Sequence, residues 1–334
     1  MAVLSHILPV FALLFSPGVH SLPAAARDKL AAAAADLHTV YQYPLGTWVE
    51  NIAVRHNGNL LVTFTQPSAD LHQINPSHPP PQTNDTATTL AHRFANHTQV
   101  TGIAEYRPDV FAVIADNSVY SADFRNGTTP SVKPITTIPT AGLLNGMAHL
   151  PHTHTLFVSD SQLGLIWRVD SRSGAYAVHL QDATMAPSSG LALTLGINGL
   201  RYLDGYLYYV NSPKRLFCKV RVDEVTGHVV GGAEVIAEGA LADDFNVRAE
   251  DGAPVAYLAG LNDNVVTRVT MGGEKEVVAG GLNSTDVAGA TSGAFGRTEA
   301  DADVLYVTTG GASAAPVNGT YVEGGKIVAL KLAE

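Results

Sequence analysis

Short runs of alternating apolar and polar residues, broken by Gly, Pro, Asn and Asp, fill the chain from His38 onward. Alternation with period two sends successive side chains to opposite faces, so these runs predict β-strands. Gly196 to Ser212 shows the unit in full: Asn198 and Gly199 open a strand, Asp204-Gly205 supplies a tight turn, and Tyr206 to Val210 runs back as a second strand. Equivalent strand starts fall near Glu50, Thr101, Asn145, Asn198, Asp243 and Ser292. Their separations of roughly 45 to 53 residues match one four-stranded sheet each. A lone sheet of that size cannot bury both faces, so the units must pack radially about a channel. The sixth group lacks a fourth strand. The orphan run His38 to Tyr43 supplies it, which pairs the two ends of the chain and removes an exposed edge. The expected fold class is all-β, a six-bladed β-propeller over residues 38–334, in preference to a pair of β-sandwiches or a β-helix.

Before His38 the pattern changes. Val3 to Phe15 is apolar apart from Ser5, His6 and Pro9, and small residues follow around Ser21 and Ala24 to Ala26. This predicts a secretory signal peptide over residues 1–21, too short to span a bilayer comfortably. The alanine-rich stretch after it predicts a short N-terminal helical segment over residues 22–37. Asn-x-Ser/Thr sequons at Asn84, Asn96, Asn126, Asn283 and Asn318 agree with a glycoprotein of the secretory pathway, or one that is secreted. The single cysteine, Cys218, excludes an internal disulfide; it sits in the strand pattern Leu216 to Val220 and reads as a small buried hydrophobe. A net charge of −10 without a basic run argues against nucleic-acid or anionic-membrane partners.

In a propeller the first residues of the innermost strands cluster at one mouth of the channel. Glu50, Asn145, Asn198 and Asp243 converge there by this alignment. Two carboxylates and two amide oxygens suit Ca²⁺, Mg²⁺, Mn²⁺ or Zn²⁺, although Asn-Gly and Asp-Asp also shape strand starts. Trp48, Phe245 and Phe295 lie near the heads, Ser292 opens the sixth inner strand, and together they suit a small apolar substrate. His149 falls two pairs along its strand from Asn145, as an acid–base group on the channel or as a core histidine bonded to backbone. His152-Thr153-His154 follows Pro151 in a turn and reads as a solvated loop. Gly-x-Ser-x-Gly, His-Glu-x-x-His and a phosphate-binding glycine loop are all absent from the sequence, which disfavours serine hydrolases, zincins and nucleotide-dependent enzymes.

The frame resembles the senescence marker protein, gluconolactonase and luciferin-regenerating enzyme family. Glu50 in Trp-Val-Glu-Asn, Asn145 in Leu-Asn-Gly-Met, Asn198 in Ile-Asn-Gly-Leu and Asp243 in Ala-Asp-Asp-Phe match the positions that hold that family's divalent metal. The family's Asp-Gly is Asp243-Asp244 here, which leaves open which carboxylate points inward. A narrower resemblance rests on Leu144 to Ala148, Leu195 to Gly199, Leu241 to Phe245, Ser292 to Arg297 and Ala315 to Tyr321. These look like a fungal secreted branch that includes the hetero-Diels–Alderases of tropolone sesquiterpenoid biosynthesis. The resemblance implies an intermolecular cycloaddition between a quinone methide and a humulene-type alkene, with no cofactor. It also leaves a divalent-metal-dependent lactonase or ester hydrolase, and a propeller that binds a ligand without turnover.

Overall fold

The computed structural model describes residues 36–77, 87–191 and 193–332. The expected signal peptide, all but the end of the expected helical segment, and the sequon at Asn84 lie outside them. Leu37, placed at the end of that segment, is instead the first residue of a strand.

Six four-stranded antiparallel sheets make up the described chain. Their innermost strands are Trp48–Val54, Val100–Arg107, Leu144–His149, Ile197–Leu203, Phe245–Glu250 and Ala290–Phe295, which head blades 1 to 6 in chain order. Each expected strand group forms one blade. Blade 6 closes as the pattern requires, with Leu37–Gln42 pairing antiparallel to Lys326–Lys331. The hairpin of blade 4 shows the local cause: Asp204 and Gly205 both adopt positive φ, 47° and 78°, which matches the right-handed twist of the strands they join.

Second strands are buried on both faces, against the blades on either side. Val110–Ala115 is accordingly six consecutive buried apolar residues rather than an alternating run. The core therefore consists of layers between blades. Leu61 and Leu71 of blade 1 pack with Phe111 and Val113 of blade 2, and Tyr208 and Phe217 of blade 4 pack with Phe245 and Leu258 of blade 5.

Hydrogen bonds also join every neighbouring pair of blades near the axis. Thr63 Oγ1 donates to Thr101 O (2.7 Å), Thr101 Oγ1 to Leu144 O (2.9 Å) and Ser159 Oγ to Asn198 O (2.6 Å). The ring continues through the Gly199 amide to Asp243 O (3.1 Å), the Asp244 amide to Thr291 O (3.0 Å), and Thr291 Oγ1 to Val49 O (2.7 Å). Cys218 is buried in the layer between blades 3 and 4, as its strand context implies.

Candidate functional site

Each inner strand begins with an irregularity that sets the level of every residue after it. In blade 3 Leu144 pairs with Asp160 and the next ladder pair is Met147 with Val158; blades 2 and 4 skip in the same way after Val100 and Ile197. In blade 5 Asp243 donates to Ala259 O while Ala259 donates to Asp244 O, so two residues face one. The skipped pair in blades 2, 3 and 4 is a polar residue followed by glycine. A Cβ on Gly146 would lie 2.6 Å from Leu200 N, and one on Gly199 would lie 2.1 Å from Asp244 Oδ1. Glycine here lets the next inner strand, or its carboxylate, occupy the space of a side chain.

Within these bulges sit the predicted head residues, all buried: Glu50, Asn145, Asn198 and Asp243. Asn198 Nδ2 donates to Asp243 Oδ1 (2.7 Å) and Ser212 Oγ (3.0 Å). Trp48 Nε1 donates to Glu50 Oε2 (2.6 Å), so Trp48 orients the carboxylate from the mouth. Burial raises the Glu50 pKa to about 7 against the Trp48 hydrogen bond, with help from the nearby Asp244 charge. Burial and the Glu50 charge push Asp243 well above the usual carboxylate range, against the bond from Asn198. Asn198 Oδ1 is buried with no hydrogen-bond partner. An orphaned carboxamide oxygen beside two carboxylates that resist ionisation fits a hard divalent cation, which would satisfy all three. Among the described residues no three of His, Cys, Asp and Glu gather as a metal cluster, so any such ion would depend on the asparagine oxygens.

One level along the channel, Asp244 is the centre of a separate network. Its Oδ2 accepts from Asn51 Nδ2 (2.8 Å) and Arg201 Nη2 (2.6 Å) and lies 3.2 Å from Ser292 Oγ, while Oδ1 accepts from the Phe245 amide (2.8 Å). Blades 1, 4, 5 and 6 thus meet on one carboxylate. The open choice at the fifth head resolves into two roles: Asp243 faces Asn198 and Glu50, and Asp244 ties the channel together below them.

Beyond this network the channel opens into a cavity of about 330 Å³, lined by Ile52, Ile103, Met147, His149 and Arg201 among others. His149 borders it, half-buried, with Nε2 3.1 Å from Thr153 O. That contact makes Nε2 the donor and leaves Nδ1 as an acceptor. Burial holds its pKa below the ordinary value, so the ring is neutral at neutral pH. His149 thus borders the cavity and is also bonded to backbone.

The remaining predicted residues lie elsewhere. Phe245 is fully buried between blades, edge-on to Phe217, and does not border the cavity. Phe295 packs under the Arg248 guanidinium, 3.6 Å from its ring centroid, away from the cavity. Ser292 serves the Asp244 network. His152 and His154 are exposed in a turn. Asn51, Arg201 and Asn246 were not foreseen. Reading the inner strands as aligned columns after the head would have found the last two, because they interrupt a column of alanines.

No family model matches the chain. A protein of Sarocladium schorii named "Putative hetero-Diels-Alderase asR5" is 29% identical, with 80% of this chain and 77% of that protein covered. A second, from a Phoma species and named "Putative hetero-Diels-Alderase", is also 29% identical and covers 80% of this chain and 85% of its own length. Among solved structures, a luciferin-regenerating enzyme superposes with a TM-score of 0.64 at 16% identity, over 88% of this chain and 94% of that one. The chain shares that fold. The calcium-binding protein regucalcin from Agrobacterium tumefaciens shares the fold (TM-score 0.61, 16% identity, 88% and 92% covered). So does a gluconolactonase from Xanthomonas campestris (TM-score 0.61, 13% identity, 91% and 93% covered). No helix among the described residues is long and apolar enough to cross a membrane.

Proposed function

We propose that this propeller is an enzyme of the hetero-Diels–Alderase kind, joining a quinone methide of tropolone or polyketide origin to a humulene-type sesquiterpene. The observation that carries the reading is similarity along most of the chain to two proteins both named for that reaction class. The channel cavity, whose wall includes Ile52, Ile103, Met147 and four alanines, supports it, because a cycloaddition gains most from orientation of its two partners.

The quinone methide arises when a benzylic alcohol loses water. His149 relays the proton of the ring hydroxyl to the departing hydroxide, so water leaves and the ring oxygen becomes a carbonyl. Its neutral imidazole with a free Nδ1 is suited to take that proton. Cycloaddition then forms one C–C and one C–O bond with no net proton transfer. The channel walls hold the alkene over the heterodiene and exclude water, which would otherwise add to it. The sequons at Asn96, Asn126, Asn283 and Asn318 are all exposed, in keeping with assembly in the secretory pathway.

The test is product stereochemistry. Purified protein with a benzylic-alcohol precursor and humulene should give one enantiomer of the adduct; a racemic product identical to that of the buffer control rejects the reading.

One observation favours a second reading, a metal-dependent lactonase: the orphaned Asn198 Oδ1 beside Glu50 and Asp243. Glu50, Asn198 and Asp243, with Asn145, would hold a divalent cation, which polarises a lactone carbonyl when bound. Lactone hydrolysis abolished by EDTA and restored by Mn²⁺ or Ca²⁺ would select this reading over the first.

A further inference from the structure

Three residues past the head residue in blades 1 to 5, and two past Ser292 in blade 6, the inner strands present Ala53, Ala104, Ala148, Arg201, Asn246 and Ala294, and all six border the cavity. They pair across their hairpins with Leu61, Ala112, Phe157, Tyr208, Tyr257 and Tyr306, which places them in one column of the repeat. Four alanines at one level of a channel leave room for a ligand. The two exceptions, on adjacent blades 4 and 5, place side-chain N–H donors together on one side of the cavity, while Glu105, paired with Arg297, and His149 border it from blades 2 and 3.

The chemistry of the donor wall is specific. Arg201 gives Nη2 to Asp244 (2.6 Å), with Ser292 Oγ 3.4 Å away, and gives Nη1 to Leu200 O (2.9 Å). These bonds fix the guanidinium and leave Nε–H and one Nη1–H uncommitted. Asp244 also cancels most of its charge at short range. A full anion would therefore meet an ion pair and, across the cavity, the Glu105 carboxylate, while a neutral carbonyl oxygen would meet fixed donors beside the alanines. No hydrogen bond to another described residue engages the Asn246 carboxamide.

We infer that this cavity binds an uncharged, conjugated carbonyl compound, its apolar body among the four alanines and its oxygen held by Arg201 and Asn246. The inference rests on the cyclase reading for its catalytic meaning, since donors on the heterodiene carbonyl lower the barrier to cycloaddition. It identifies the donor wall as the part that selects and activates that partner.

Binding is tested apart from turnover with 1-tetralone, tetralin and 1-naphthoate, a ketone, a hydrocarbon and an anion of similar size. The wild-type protein should bind 1-tetralone roughly tenfold more tightly than either of the others, and the infrared C=O stretch of the bound ketone should fall. Because Arg201→Met alone leaves a buried carboxylate unpaired, the donor wall is tested in Arg201→Met/Asp244→Asn. That variant, which keeps Asn246, should move the C=O stretch part of the way back toward its value in apolar solvent. Ala104→Leu, which fills the cavity and spares the wall, should weaken binding of all three probes. Unchanged ketone affinity and C=O frequency in both variants overturn the inference, as does equal or tighter binding of 1-naphthoate. Arg201-dependent ketone binding without stereoselective cyclisation would leave this inference standing and remove the cyclase reading.

Discussion

Replacing Glu50 by Gln should flatten the dependence of folding stability on pH. Gln keeps the shape of the side chain and an oxygen for the Trp48 indole, but it carries no proton to lose. In the wild type, burial raises the Glu50 pKa from 4.5 to about 7. Between those values the folded chain keeps a proton that the unfolded chain has released, so stability is present in full at low pH and is lost as pH rises toward 7. A gap of about 2.5 pH units corresponds to about 3 kcal/mol of unfolding free energy. Asp243 shifts in the same direction, partly because of the Glu50 charge, so the substitution also relieves it. Urea unfolding followed by far-UV circular dichroism at pH 5, 6, 7 and 8, with EDTA present, measures this directly. The two proteins should agree near pH 5, and Glu50→Gln should be more stable at pH 8 by up to about 3 kcal/mol. Parallel curves across the range would refute the assignment of the buried charge. Addition of Mn²⁺ at pH 8 should stabilise the wild type more than the variant if the head residues hold a cation.

Gly199→Ala places a Cβ 2.1 Å from Asp244 Oδ1 and 2.7 Å from its Cα, and should cost about 2 kcal/mol or more in the same unfolding assay. Arg55 makes a two-pronged buried pair with Asp109, so Arg55→Met should destabilise by about 3–5 kcal/mol, whereas Arg125→Met at the exposed Asp123 pair should leave the thermal midpoint in place. Burial pushes the Cys218 thiol up to about 12, so alkylation by iodoacetamide should be absent in the native protein and complete in guanidinium.

The blades were legible because their signals are local. Asn57-Gly58, Asp204-Gly205 and the alternating runs around them each state a hairpin within a dozen residues, and the closing strand follows from counting to four. The head residues were legible for a related reason, since Asn145-Gly146 and Asn198-Gly199 repeat one local arrangement. What failed was the direction of side chains beyond the heads. A bulge shifts alternation by one residue, and every inner strand carries such an irregularity at its start or just before it. Phe245 therefore turns into the layer between blades although it follows two channel residues. Arg201, three residues past the head of its innermost strand, borders the channel cavity. Its partner, Asp244, is on another blade, and nothing local to either residue announces the pair.

The join between Leu37–Gln42 and Lys326–Lys331 has a consequence for how the protein is made. The first strand of the ring leaves the ribosome almost an entire chain ahead of its partner, and at ordinary synthesis rates it waits on the order of tens of seconds. Over that interval five blades are complete in sequence but the circle is open, with an unpaired edge at either end. Losses at the C-terminal strand should thus appear as poor yield and aggregation before they appear as poor activity. A circular permutant with new ends in the turn between blades 1 and 2, and the old ends linked, would let blade 6 form from contiguous chain. Higher soluble yield from that permutant than from the natural order would place the bottleneck at ring closure.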